Sequence, residues 1–121
     1  MTISTDAAAT LVDGWFDAWN RHDVDAVVAH YAPDVEYHSP FVAALADPSG
    51  RLVGIDAVAA YFRAALERYP DLHFDRPLHV AAGAGSVALV YRSVNGLLAV
   101  ETLVLDEDGL VGCAYCHYAP A

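Results

Sequence analysis

The sequence predicts an α+β domain, with helices in its first half packed on one face of an antiparallel sheet built from its second half. Three observations carry this expectation. Apolar residues recur at helical spacing over residues 6–20 and again from Ile55 to Tyr69. Beyond Pro70 the apolar runs are short and bounded by turn residues, as strands are. Asn95-Gly96 separates two such runs, the strongest short-range hairpin signal in the chain. Helices first and hairpin-linked strands after them is the α+β order. The chain has 121 residues, and at that length folding buries roughly two thirds of the unfolded surface, so one domain over residues 1–121 with one core is expected.

Taken in order, Leu11, Val12, Trp15, Phe16 and Trp19 form the inward stripe of a first helix. Ser4, Thr5 or Asp6 can cap its start, and Asn20-Arg21-His22-Asp23 ends it. Asp23 caps a short second helix with Val24, Val27, Val28 and Tyr31 inward, stopped by Pro33. DVEYHS, residues 34–39, is a short strand ending at Pro40, and ALADPSGRLVG is a loop. A third helix from Ile55 buries Val58, Ala59, Phe62, Ala65, Leu66 and Tyr69 and closes at Pro70. LHFDRPLHVAA is a strand bent or interrupted at Pro77, and GAG turns the chain into SVALVYRSV. LLAVETLVL follows the Asn-Gly turn, and DEDG leads into the last strand, LVGCAYCHY.

Glu101 stands out in that pattern: it lies in the middle of LLAVETLVL, a strand apolar enough to be buried on both faces. A buried, unpaired carboxylate costs several kcal/mol unless it is protonated or partnered. Reading Asn95-Gly96 as a two-residue loop pairs Val94 with Leu97, Arg92 with Ala99 and Val90 with Glu101. Arg92 then becomes a diagonal neighbour of Glu101 on one face. A four-residue DEDG loop sets Ala114 opposite Glu101 and Cys116 opposite Ala99, so Tyr118 shares that face, while Cys113, Tyr115 and His117 take the other. The same register puts Val87, Leu89, Tyr91, Leu98, Val100, Thr102 and Val104 on the face away from Glu101. An apolar face of that size predicts a homodimer through the convex sheet, in keeping with a mean hydropathy of +0.31.

Charge narrows the function classes. Sixteen acidic against six basic residues give a formal net charge of -10, which argues against nucleic acid and against anionic membrane surfaces as partners. All six basic residues are Arg, and a chain without Lys offers neither Schiff-base catalysis nor a phosphate-loop lysine. MTISTDAAAT shows neither a basic n-region nor an apolar h-region, and no run approaches 18 apolar residues, so a cytoplasmic protein is expected. Cys113-Ala-Tyr-Cys116 is formally a C-x-x-C, but on a strand its members point to opposite faces about 10 Å apart. Two reduced thiols and no metal site are the expectation.

WFDAWNRHDVDAVVAHYAPDVEYHSP, then G-IDAVAAYF, then the hairpin and LDEDGLV, together resemble the nuclear transport factor 2-like superfamily, and within it the SnoaL-like, polyketide cyclase-like branch. The resemblance covers nearly the whole chain. It implies a cone: three N-terminal helices on a curved antiparallel sheet, enclosing a pocket, in a fold that hosts ketosteroid isomerases, cyclases, dehydratases, an epoxide hydrolase and pure binding modules. Fold alone therefore leaves the chemistry open. Set beside the ketosteroid isomerases, the catalytic Asp falls on Ser39, the oxyanion Tyr on Trp15 and the second oxyanion acid on Glu101. Set beside the dehydrochlorinase and dehydratase branch, the catalytic His falls on His73 and its Asp partner on Asn20. An epoxide hydrolase of this fold activates water through an Asp-Arg-Asp chain, which Glu101 with Arg92 would match in part.

The candidate site follows from these readings. His73 and Glu101 are the candidate catalytic residues, with His73 suited to acid-base work near neutrality. Asn20, Tyr37, Ser39, Arg92, Trp15 and Tyr118 are the candidate substrate-binding residues. Glu101 has two compatible readings, a structural ion pair with Arg92 or an acid that touches a ligand. The expected ligand is a small hydrophobic, oxygenated molecule, and no cofactor is implied. Three functions remain open: a cofactor-independent acid-base enzyme, a non-catalytic binding or accessory module of the same fold, or a dimeric interaction module with a filled cone. His73 and Glu101 converging on one cavity would favour the first.

Overall fold

The computed structural model describes residues 2–121. Helix α1, Thr5–Asn20, is capped by Ser4, whose hydroxyl accepts from the Ala7 amide at 3.1 Å, satisfying one of the four orphan donors of a helix start. Its buried stripe is Ala8, Val12, Trp15, Phe16, Ala18 and Trp19. His22, at φ 56°, turns the chain, and Asp23 caps α2, Val24–Val28, by accepting from Ala26 at 3.0 Å. Tyr31, expected on that second helix, instead opens strand β1, Tyr31–His38. Pro33 lies inside β1 where its register with the last strand shifts between Tyr31 and Glu36, the irregularity at which a strand tolerates proline.

Two short elements carry no clear signal in the sequence. Pro40–Leu45 forms helix α3, with Ser39 as N-cap and proline in its first turn, and Arg51–Val53 forms β2, paired antiparallel to β1. Among the described residues the domain thus has four α-helices, not three. Helix α4, Ile55–Arg68, buries Val58, Ala59 and Phe62. Its Arg63 reaches Asp25 of α2 at 2.9 Å.

Strands β3, His79–Ala82, β4, Ser86–Arg92, β5, Leu97–Leu105, and β6, Val111–Pro120, complete one six-stranded sheet in the order β2-β1-β6-β5-β4-β3. The sheet is mixed, because β1 runs parallel to β6. The remaining pairs are antiparallel. Pro77 ends the bent segment outside the ladder, and β3 begins only after it.

Register decides what faces the helices. Ser93, just past β4, donates its amide to the Leu97 carbonyl at 2.8 Å, and this pair closes a loop of three residues, Val94, Asn95 and Gly96. Asn95 and Gly96 take φ 59° and 69°, the left-handed backbone that an Asn-Gly pair supplies. The extra loop residue moves every β4–β5 pair by one: Leu89 faces Glu101, Tyr91 faces Ala99 and Arg92 faces Leu98. A one-residue shift flips the face of the whole strand. Val87, Leu89 and Tyr91 are therefore buried beside Glu101, and Arg92 is exposed on the opposite face. In β6, Cys116 pairs with Glu101 and Ala114 with Leu103, two residues from the expected partners. Two is a full period, so Ala114, Cys116 and Tyr118 face inward as expected.

The core lies between this face and helices α1 and α4, and aromatic rings fill much of it. Trp15 stacks on Phe74 at 6.1 Å with planes 3° apart and meets Tyr91 edge-on at 5.7 Å. Phe62 stands edge-on to Trp19 at 4.8 Å and to Tyr37 at 5.3 Å. Offset and edge-to-face pairs of this kind add about 0.5–1.5 kcal/mol each beyond their area.

Candidate functional site

A cavity of about 500 Å³ opens between α4, the end of α1 and the inner sheet face, within the size range of small-molecule sites. Its wall is mainly aromatic and small apolar: Trp15, Trp19, Tyr37, Phe62, Phe74 and Tyr91, with several alanines of α4. Glu101 is the wall's only carboxyl among the described residues, and it is 1% exposed. The Tyr91 hydroxyl donates to its Oε1 at 2.8 Å. Its Oε2 is buried and has no hydrogen-bond partner among the described residues.

Burial in this low-dielectric surrounding pushes the Glu101 carboxyl from the ordinary 4.5 up to about 7, against the opposing pull of the Tyr91 hydrogen bond and of the neighbouring Cys116 thiol. The acid is therefore divided between neutral and charged forms near neutral pH. The surrounding phenols behave differently. Burial, aided by the nearby Glu101 charge, drives the hydroxyls of Tyr31, Tyr37, Tyr91 and Tyr118 upward, so they remain donors. The Cys116 thiol is likewise pushed up by burial and donates to the Tyr37 hydroxyl at 3.3 Å.

Of the residues expected in the site, the fold brings together Glu101, Tyr37, Trp15 and Tyr118 on the cavity wall. Trp15 holds its place partly through its indole N–H, which donates to the Tyr31 hydroxyl at 3.0 Å. The other four lie elsewhere. Arg92 is outward for the register reason given above, so Tyr91, not Arg92, partners Glu101. Asn20 is a backbone clamp: its amide donates to the Phe74 carbonyl at 2.9 Å and accepts from the Phe74 amide at 2.7 Å. Both ends of its side chain are thereby engaged. Ser39 is buried as the cap of α3, accepting from Phe41 at 3.2 Å, and is absent from the cavity wall.

His73 is the largest departure. Its side chain is 66% exposed, 3.9 Å from Asp75, on an outer groove lined also by Arg68, Tyr69, Asp71 and Asn95. Residues 71–77 form no strand, so the alternation that would aim His73 inward is lost; its neighbour Phe74 enters the core instead. His73 and Glu101 do not share the cavity wall. Trp19 and Tyr91 are wall residues outside the set expected from the sequence. Trp19 was visible as the residue one turn from Trp15 on the same helix face. Tyr91 would have been found with a three-residue hairpin loop.

On the outer face, donor atoms of Glu36, His38 and Cys113 lie within 4.8 Å of one another, but the Arg51 guanidinium already engages the Glu36 carboxylate. Both cysteines are free thiols. Among the described residues no helix is long and apolar enough to cross a membrane.

The SnoaL-like domain family matches residues 12–102 of this chain. The chain belongs to the SnoaL-like family. A SnoaL-like protein of unknown function from Burkholderia thailandensis is 44% identical, covering 97% of this chain and 98% of its own, with a TM-score of 0.91. More distant structures share the fold alone. A protein provisionally assigned as a ketosteroid isomerase from Kribbella flavida is 22% identical over 97% of this chain and 81% of its own, with a TM-score of 0.71. One provisionally assigned as a polyketide cyclase from Sinorhizobium meliloti is 16% identical over 89% and 94%, also at 0.71. No curated protein matches this SnoaL-like chain.

Proposed function

We propose that this SnoaL-like domain binds a small, mostly apolar molecule bearing a carbonyl or hydroxyl oxygen, and that Glu101 is the group that meets that oxygen. One observation carries the reading: a fully buried carboxyl on an aromatic cavity wall with one oxygen bonded to Tyr91 and the other left without a partner. Buried polar groups are rarely left unsatisfied, and those that are call for a functional explanation. In its neutral form Glu101 donates a hydrogen bond to a ligand carbonyl; in its charged form it accepts from a hydroxyl or takes a proton. Tyr91 keeps the carboxyl oriented in both.

As an enzyme the domain would run cofactor-independent acid-base chemistry of the isomerase, cyclase or lyase kind, with Glu101 as its proton-transfer group. The position of His73 favours the second reading, a non-catalytic binding module, because among the described residues no imidazole lines the cavity with Glu101 to act as a complementary base. The partner proposed for the outer sheet face is a second copy of the chain, since Val100, Val104 and Tyr115 are 40%, 37% and 42% exposed there.

Binding of 9-fluorenone and its hydrocarbon counterpart fluorene, followed at pH 5.5 and 8.5, tests the reading. The ketone should bind the wild type about tenfold more weakly at the higher pH, the worth of one charge-sensitive hydrogen bond. Fluorene should bind equally at both. In Glu101→Gln the pH dependence should vanish. A ketone whose affinity ignores both pH and the substitution would refute the role given to Glu101.

A further inference from the structure

Trp19 carries the second unpartnered polar atom of the interior. Its residue is buried, its ring lies on the wall of the same cavity, and its indole Nε1–H has no acceptor among the described residues. The contrast with Trp15, one turn earlier on α1, is direct, because the Trp15 N–H is spent on Tyr31. An indole nitrogen only donates, so whatever satisfies Trp19 must offer an acceptor. Leaving such a donor buried and unpaired costs stability, and a phenylalanine would fill the aromatic position without that cost.

The two orphan atoms belong to different residues of the wall. Trp15 neighbours both residues: its ring centroid is 6.0 Å from that of Trp19 and 5.7 Å from that of Tyr91, the residue that holds Glu101. Building on the reading of Glu101 above, we propose that Trp19 is a second ligand anchor and the residue that sets specificity. The preferred ligand is then a rigid, mostly apolar molecule with two acceptor oxygens, one on Glu101 and one on the Trp19 N–H. A ligand with a single oxygen satisfies one anchor and leaves the other unpaired. Discrimination through an unpaired buried donor is stronger than discrimination through an extra methylene.

The test uses anthraquinone, 9-fluorenone and anthracene as probes with two, one and no carbonyl oxygens. The chain has two tryptophans, so its ¹⁵N-indole spectrum has two resonances, and Trp19→Phe assigns them. Anthraquinone should move the Trp19 N–H downfield and slow its exchange with solvent while the Trp15 resonance keeps its Tyr31-bonded position. Trp19→Phe should weaken anthraquinone about tenfold and leave anthracene unchanged. If Trp19→Phe does not fold, Trp15→Phe makes the assignment, and the wild-type spectrum still decides. Anthraquinone binding with an unmoved Trp19 N–H would overturn the proposal. If Glu101→Gln nevertheless abolishes the pH dependence of ketone binding, the reading of Glu101 stands without it; if neither substitution matters, both fall.

Discussion

The Tyr91 hydroxyl donates to Glu101 Oε1 at 2.8 Å, from one strand of the β4–β5 hairpin to the other, and both residues face the cavity. This bond is the consequence of a three-residue loop. With one residue fewer, Tyr91 would face outward and Arg92 would stand beside the acid as an ion pair. The chain instead holds its buried carboxyl with a neutral donor, which leaves the proton free to come and go near neutrality.

Stability should depend on pH through Glu101. Its folded value, about 7, lies above the unfolded 4.5, so between these limits the native state binds more protons than the unfolded chain. Stability from this residue is thus fully present below about pH 4.5 and falls as pH rises through 7, by about 3 kcal/mol in all. Urea unfolding at pH 5 and pH 8 should show this drop in the wild type and a smaller one in Glu101→Gln, which has no proton to lose.

Tyr91→Phe should destabilise by about 1–3 kcal/mol, because it strips the one donor from Glu101 Oε1 and leaves both oxygens unpaired. The Tyr91 bond pulls the carboxyl down, so its loss should raise the Glu101 titration midpoint above the wild-type value. A carboxyl-resolved NMR titration of the variant reads the shift directly.

How far the sequence revealed this arrangement differs from strand to strand. Period-2 alternation placed Glu101, Tyr118 and Cys116 on one face even though the β5–β6 pairing was displaced by two residues, since a two-residue slip preserves facing. The β4 assignment failed because Asn-Gly serves both two- and three-residue hairpin loops, and local sequence does not separate them. His73 was misplaced because a position carried over from relatives assumed a strand, and residues 71–77 here have none. Helix periodicity identified α1 and α4, whereas α3 is too short to leave a periodic signal.

Asn20→Ala should act on stability and dynamics more than on ligand contacts. It removes both hydrogen bonds that fix Phe74, at a cost of about 1–3 kcal/mol. The His22 ring nitrogen, donating to Leu72 at 2.7 Å, would remain as a separate tether. Hydrogen exchange should show faster opening confined to the segment around Leu72–Asp75. A folded variant with unchanged exchange there would contradict the clamp.

Sedimentation at micromolar concentration should give about twice the 12.9 kDa monomer mass. Val100→Lys with Val104→Lys should return the species to a monomer without loss of secondary structure, because both side chains lie on the exposed face. A wild-type monomer would leave the apolar outer face without the proposed partner.

The titration of the ¹³C-labelled Glu101 carboxyl, with and without bound 9-fluorenone, bears most directly on the role of this residue. A midpoint near 7 is expected in the free protein, rising further with the ketone bound, because a carbonyl stabilises the neutral acid that donates to it. A free midpoint near 4.5, or a midpoint that bound ketone leaves in place, would contradict Glu101 as the group that meets the ligand.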